Sequence, residues 1–133
     1  AGLMAFLGGQ LRPGVDIVID SVHLRNRMKG CDLIITGEGR MDGQTVFGKT
    51  PAGVARIGRE LGIPVIAISG SLGANAHKVH TIGIAAYFSA LQESVDELDL
   101  PERGPAMLEE CAEQVARLMA MRIPAPKSTA RRR

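Results

Sequence analysis

Aromatic side chains are nearly missing from this sequence: there is no Trp, one Tyr and three Phe, 3% of the residues. A core must therefore be aliphatic, built from Ile, Val, Leu, Ala and Met. A surface that grips single-stranded nucleic acid by stacking bases on aromatic rings is excluded with them. Cysteine is scarce as well. Cys31 and Cys111 stand far apart, too few for a disulfide framework, and both read as small buried hydrophobes that do not pair. Charge of one sign is not in excess. The net charge is +2, and part of it sits in Arg131-Arg132-Arg133, so the body is close to neutral and has no strong pull toward nucleic acid or anionic lipid. No stretch is long and apolar enough to span a membrane. The opening AGLMAFLGGQL lacks the basic n-region of a secretory signal. The expected compartment is the cytoplasm.

What is there is ordinary for a globular chain: 45% hydrophobic and 23% charged residues in 133. That length makes one domain, or part of one, with room for a real core. The candidate chemistry gathers in one stretch, CDLIITGEGRMDGQTVFGKTPAGV, from Cys31 to Val54. Leu33-Ile34-Ile35 is short and apolar, and predicts a strand over Asp32 to Thr36 buried on both faces. Gly37, Gly39, Gly43 and Gly48 follow, with Glu38, Arg40, Asp42, Gln44, Thr45 and Lys49 between them. Thr50-Pro51 reads as a helix start, with Thr50 as cap and Pro pre-shaped for the first turn. Glycines let backbone N–H groups approach a ligand, and a helix N-terminus favours an anion.

The sequence GEGRMDGQT followed by GKTPAGVAR resembles the signature of the bacterial glycerate kinases, which phosphorylate D-glycerate with ATP. PVIAISGSLG looks like the next strand and turn of that family. The resemblance runs from about the first residues to Met119 and covers the C-terminal portion of a family member. Family members often carry Ala where this chain has Thr50. The resemblance implies ATP-dependent phosphorylation of D-glycerate to phosphoglycerate, 2-phosphoglycerate by preference, with Mg²⁺. It also implies a complete enzyme of two α/β domains with a cleft between them. On that footing residues 1–123 are part of a Rossmann-like domain: a parallel sheet with flanking helices. The missing N-terminal portion of the same enzyme is an expected partner.

The remaining elements follow from pattern. Leu3 to Leu7 reads as a short helix stopped by Gly8-Gly9. The β-branched run Val15 to Asp20 suits a strand, but its helical spacing after Pro13 and the need for a crossover favour a helix. Leu24 to Lys29 predicts a short amphipathic helix with Leu24 and Met28 inward. Pro51 to Leu61 predicts a helix capped by Gly62, and Pro64 to Ser69 a second buried strand, making a parallel βαβ unit. Ile82 to Phe88 reads as a third parallel strand. Gly104 to Met121 reads as a long helix with Met107, Leu108, Cys111, Val115, Leu118 and Met119 on one face. Residues 124–133, basic and without apolar periodicity, are expected to be disordered.

In an open parallel sheet, ligands bind beyond the carboxyl ends of the strands. Phosphoryl transfer there needs a phosphate cradle, cations and a proton acceptor. Lys49 and Arg40 can be the cations. Backbone N–H groups at Gly37, Gly39 and Gly48 can form the cradle. Asp42 or Glu38 can take a proton or hold Mg²⁺, with Asp42 as the candidate metal ligand. Gln44 and Thr45 can hydrogen-bond a small hydroxy acid, and Ser69, Gly70 and Ser71 form a second phosphate-facing loop. Arg40 has a structural alternative, pairing with Glu38 or Asp42 to lock the loop. His77 and His80 have metal-pair spacing but no evident third ligand.

Two rival functions share these residues. Gly43 to Thr50 fits the phosphate-loop pattern G-x-x-x-x-G-K-[ST], which would suit a small nucleoside triphosphatase or regulator. Against it, EGRMD separates the strand from the pattern, and no aspartate ends the next strand. The other rival is a non-catalytic α/β interaction module. Three strands are few for a doubly wound sheet, so the isolated chain is expected to be inactive and, with an open sheet edge, to self-associate.

Overall fold

The structure, a computed structural model, describes Phe6 and residues 8–121. The helix expected over Leu3 to Leu7 and the disordered tail expected over 124–133 lie outside the described residues, Phe6 excepted. Helices α1 (Gly14–Ser21) and α2 (Leu24–Met28) lead into strand β1 (Ile34–Thr36). A two-residue strand β2 (Arg40–Met41) and a 3-10 turn at Thr45–Phe47 precede helix α3 (Thr50–Leu61). Then come β3 (Val65–Ser69), a second two-residue strand β4 (Ser71–Leu72), a 3-10 segment at Ala76–Ile82, β5 (Ile84–Ser89) and the long helix α4 (Leu100–Ala120).

Strands β1, β3 and β5 form one parallel sheet in the order β1-β3-β5. The register sets Ile34 beside Val65 and Thr36 beside Ala67. On the other side it sets Ser69 beside Ser89, with one irregularity between Val65 and Ile66. The central strand β3 is buried at all five positions, as a strand covered on both faces must be. Its alternation divides the core. Val65 packs with Ile19, Met28, Ile34 and Ile57 on the α1–α3 side. Ile66 and Ile68 pack with Cys111 and Val115 of α4 on the other. Each fully buried Val or Ile contributes about 1.5–3 kcal/mol, so this two-sided packing of β3 anchors the loops at its carboxyl end.

Helix α3 ends at Gly62, in the left-handed conformation at φ 70°, as its sequence predicts. Four expectations need correcting. β1 is an edge strand rather than one buried on both faces: Ile35 is 55% exposed, because no described strand lies beyond it. Cys31 is exposed, and only Cys111 is buried. Thr50 does not cap α3; Lys49 holds the cap position and no side chain bonds there. Helix α4 begins at Leu100, four residues before Gly104, and continues through Pro105. Its apolar face is half bare, since Cys111 and Val115 are buried while Leu108, Leu118 and Met119 are exposed. Among the described residues, no helix is long and apolar enough to cross a membrane.

Candidate active site

The site grows out of a crossing of two backbones. After β1 the chain runs through Gly37-Glu38-Gly39 into β2, and β2 pairs in parallel with β4, which follows β3 directly. The N–H of Gly70 donates to the Glu38 carbonyl at 3.1 Å, and that of Ser71 to the Gly39 carbonyl at 3.0 Å. Gly73 donates to the Met41 carbonyl at 2.7 Å, and Gly43 to that of Ala74 at 2.9 Å. The two glycine-rich loops are thus laced into one unit, pinned by the fully buried Met41. Gly37 and Gly70 are glycines because the backbones touch: a Cβ at Gly37 would lie 2.1 Å from the Ile68 carbonyl oxygen, and one at Gly70 2.5 Å from that of Gly39. Both serve this approach between main chains, a demand distinct from the expected phosphate cradle. Gly39 is open, with nothing near its missing Cβ.

The charged residues of the first loop converge on this frame. The Gln44 N–H donates to Asp42 Oδ1 at 2.8 Å, and the Asp42 N–H donates to Thr45 Oγ1 at 3.1 Å. This is the reciprocity of a capping box, drawn around a 3-10 turn. The Thr45 hydroxyl in turn donates to Glu38 Oε1. Gly48, at φ 99°, then turns the chain into α3 and sets Lys49 at its head. Lys49 Nζ lies 3.6 Å from Asp42 Oδ1 and 3.8 Å from Glu38 Oε2. Arg40 Nε is 4.0 Å from Asp42 Oδ2, and its side chain is 68% exposed. The Gln44 N–H bond, reinforced by Lys49 and Arg40, holds the Asp42 carboxyl below the ordinary carboxylate range.

Glu38, Arg40, Asp42 and Lys49 are therefore brought together, with Gln44 exposed beside them. Thr45, expected to face a hydroxy acid, is fully buried. Ser69 is 1% exposed, and its hydroxyl donates inward to the Ser71 carbonyl at 3.2 Å. Ser71 is half-buried. The histidine pair does not make a metal centre. His80 Nδ1 sits 2.7 Å from the Ile84 carbonyl oxygen, and no group of three or more metal-ligating side chains occurs among the described residues. The phosphate-loop pattern loses its geometry: β1 ends at Thr36, and a 3-10 turn interrupts the stretch from Gly43 to Thr50.

A cleft of about 520 Å³ opens beside the laced loops, lined by Gly37, Glu38, Gly39, Ile68, Gly70, Ser71, Ala90, Leu91, Leu100, Gly104 and Leu108. Its α4 wall was not legible, because Pro101 and Pro105 hide the true start of that helix. Phe47, between the first loop's charged residues and α3, is 78% exposed; an aromatic amid Gly, Gln and Lys in so aromatic-poor a chain is the signal for it.

Fold and candidate site together define an α/β protein that gathers charged loops at the carboxyl ends of parallel strands, an arrangement suited to anionic ligands. The profile of the glycerate kinase family matches residues 1–120. The chain belongs to the glycerate kinase family. It is 44% identical over 116 residues to a glycerate kinase of Halalkalibacterium halodurans, covering 87% of this chain and 30% of that protein. It is 46% identical over 104 residues to glycerate 2-kinase of Escherichia coli K12, covering 78% of this chain and 27% of that protein. A solved structure of a candidate glycerate kinase 2 from Salmonella typhimurium LT2 superposes with TM-score 0.65 at 40% identity, over 89% of this chain and 30% of that one. The chain thus spans less than a third of the length of these relatives.

Proposed function

We propose that the whole protein transfers the γ-phosphoryl group of ATP to D-glycerate, giving 2-phosphoglycerate and ADP, and that this chain carries the charged loop of that reaction. The observation that carries the reading is Lys49, held at the head of α3 within 3.6 and 3.8 Å of two carboxylates. It belongs to a loop that follows the carboxyl end of a parallel strand. The substrates follow from the family and from its relatives, a glycerate kinase and a glycerate 2-kinase among them. The reaction is at home in the cytoplasm, where ATP is abundant.

The residues divide the work by what they have free. Both Glu38 oxygens face partners, Thr45 and Lys49. Asp42 Oδ1 is taken by Gln44 and faces Lys49, while Asp42 Oδ2 faces Arg40 Nε at 4.0 Å. Asp42 Oδ2 is therefore the acceptor for the glycerate hydroxyl proton as oxygen attacks phosphorus and the bond to ADP breaks. Lys49 offsets charge on the transferring group, at the positive end of a twelve-residue helix. Arg40 is exposed enough to reach a carboxylate or phosphate, and Gln44 can orient the hydroxy acid. The open backbone at Gly39 and Gly48 offers N–H groups to phosphate oxygens, while those of Gly70 and Ser71 are spent on the first loop.

The donor set fits Mg²⁺ in one form. Lys49 stands beside both acids, so a divalent ion would find its one carboxylate ligand in Asp42 Oδ2, where it would take the place of the proton, and would keep water and phosphate oxygens for its other positions, as Mg²⁺ commonly does. When bound, it would neutralise charge on the phosphate oxygens.

The test is ADP release dependent on D-glycerate, measured on the complete protein, with the position of the new phosphate read by ³¹P NMR. Lys49→Ala is expected to lower turnover about a hundredfold to a thousandfold while the protein stays folded, the usual loss for one preorganised electrostatic contact. Near-wild-type turnover in that variant would remove Lys49 from the chemistry.

A further inference from the structure

Thr45 is 0% exposed, one of two polar residues among the buried ones described. Its hydroxyl is nevertheless busy. It accepts the Asp42 N–H at 3.1 Å and donates to Glu38 Oε1. A hydroxyl has one proton to give and lone pairs to receive with, so a single oxygen atom ties the Glu38 carboxylate to the backbone of Asp42. Among the described residues, the other side chain that spans the two is Lys49 itself. Without Thr45, Glu38 would keep only its ion pair to Lys49, which at 3.8 Å is too long for a hydrogen bond.

We propose that Thr45 is a positioning residue: its buried hydroxyl sets the separation of Glu38 and Asp42, and so the place of the Lys49 ammonium between them. It cannot touch substrate from its buried position and acts through these three groups. The inference rests on the proposed kinase reading for its kinetic consequence, but its geometric content stands apart from that reading. Thr45→Val keeps the shape and removes the hydroxyl. It leaves the Asp42 N–H without its acceptor and Glu38 without its donor. Thr45→Ser restores both bonds and loses one methyl group. A displacement of about 1 Å in a reacting group costs about a hundredfold in rate. The loss should fall on kcat more than on KM, because the charges held here matter most when charge develops in transfer.

The experiment has two arms on the complete enzyme. In the first, Thr45→Val lowers kcat about a hundredfold with KM values changed little, and Thr45→Ser returns kcat to within a few-fold of wild type. In the second, with no substrate present, trace acetic anhydride labels lysines and peptide mass spectrometry reads the rates. Lys49, ion-paired to two carboxylates, is expected to label faster in Thr45→Val than in wild type, measured against Lys29 and Lys78, exposed as it is, and to return in Thr45→Ser. A valine variant with wild-type kcat and wild-type Lys49 labelling overturns the proposal. So does one that only melts earlier, with kcat per folded molecule and labelling unchanged. If valine prevents folding, Thr45→Ala against Thr45→Ser decides, and equal kcat and labelling in those two overturns it. If the wild-type enzyme leaves glycerate untouched, the kinase reading fails, while the labelling arm still judges Thr45.

Discussion

Two glycines two residues apart should behave oppositely. At Gly37 an added Cβ would sit 2.1 Å from the carbonyl oxygen of Ile68. Heavy atoms in contact rest at about 3.5 Å, so one of the two backbones must retreat by roughly 1.4 Å. Neither can do so alone. Thr36 is paired with Ala67 just before the contact, and Glu38 accepts the Gly70 N–H just after it. Overpacking a core costs about 1–3 kcal/mol when side chains can yield, and two main chains put Gly37→Ala near the top of that range, about 3 kcal/mol. In a domain of this size that is a fall of about 10 °C in Tm. At Gly39 nothing lies within 4 Å of the missing Cβ, and the residue is not among those with positive φ. Gly39→Ala should lie between neutral and a gain of about 1 kcal/mol, through a less flexible unfolded chain. Urea unfolding followed by far-UV circular dichroism measures both variants against wild type. Equal stability in the two would refute the reasoning that backbone contact, rather than ligand access, makes residue 37 a glycine.

Asp42 should register in the acid limb of stability. Its folded pKa is lowered, chiefly by the Gln44 N–H and then by Lys49 and Arg40. Its contribution is therefore present above its unfolded pKa, about 3.9, and is lost as pH falls below that value. Asp42→Asn should flatten that part of the curve in pH-dependent urea melts, and should abolish turnover in the complete enzyme; an unchanged acid limb would contradict the assigned contacts. The bare β1 edge should drive self-association of the isolated chain. Ile35→Lys should shift its light-scattering mass toward monomer, and an unchanged mass would place the contact elsewhere.

The βαβ unit was legible because its parts are written in the strongest local signals. Aliphatic runs make Ile34–Thr36 and Val65–Ser69, helical spacing joins Val54, Ile57 and Leu61, and Gly62 stops the helix. The charged cluster was legible too, since Glu38, Arg40, Asp42 and Lys49 stand close together in sequence between a strand and a helix, and the fold brings them into ion-pair distance. The lacing of the loops was not. Two-residue strands such as Arg40–Met41 and Ser71–Leu72 have no periodicity to read. Ile35 misled because an apolar strand reads the same at an edge as at the centre of a sheet. Thr45 misled in the opposite sense. A threonine among Gly, Gln and Asp looks solvated, and only the fold shows that its hydroxyl has both partners inside.

The hydrogen bonds between residues 38–43 and 70–74 join segments that meet only after β1 has found β3. The charged cluster is therefore a product of long-range assembly, and a peptide copied from Cys31 to Val54 would not carry it. The same bonds deny either loop an independent motion. A displacement of one loop is therefore carried to the other, and the two behave as a single piece set on the carboxyl ends of β1 and β3.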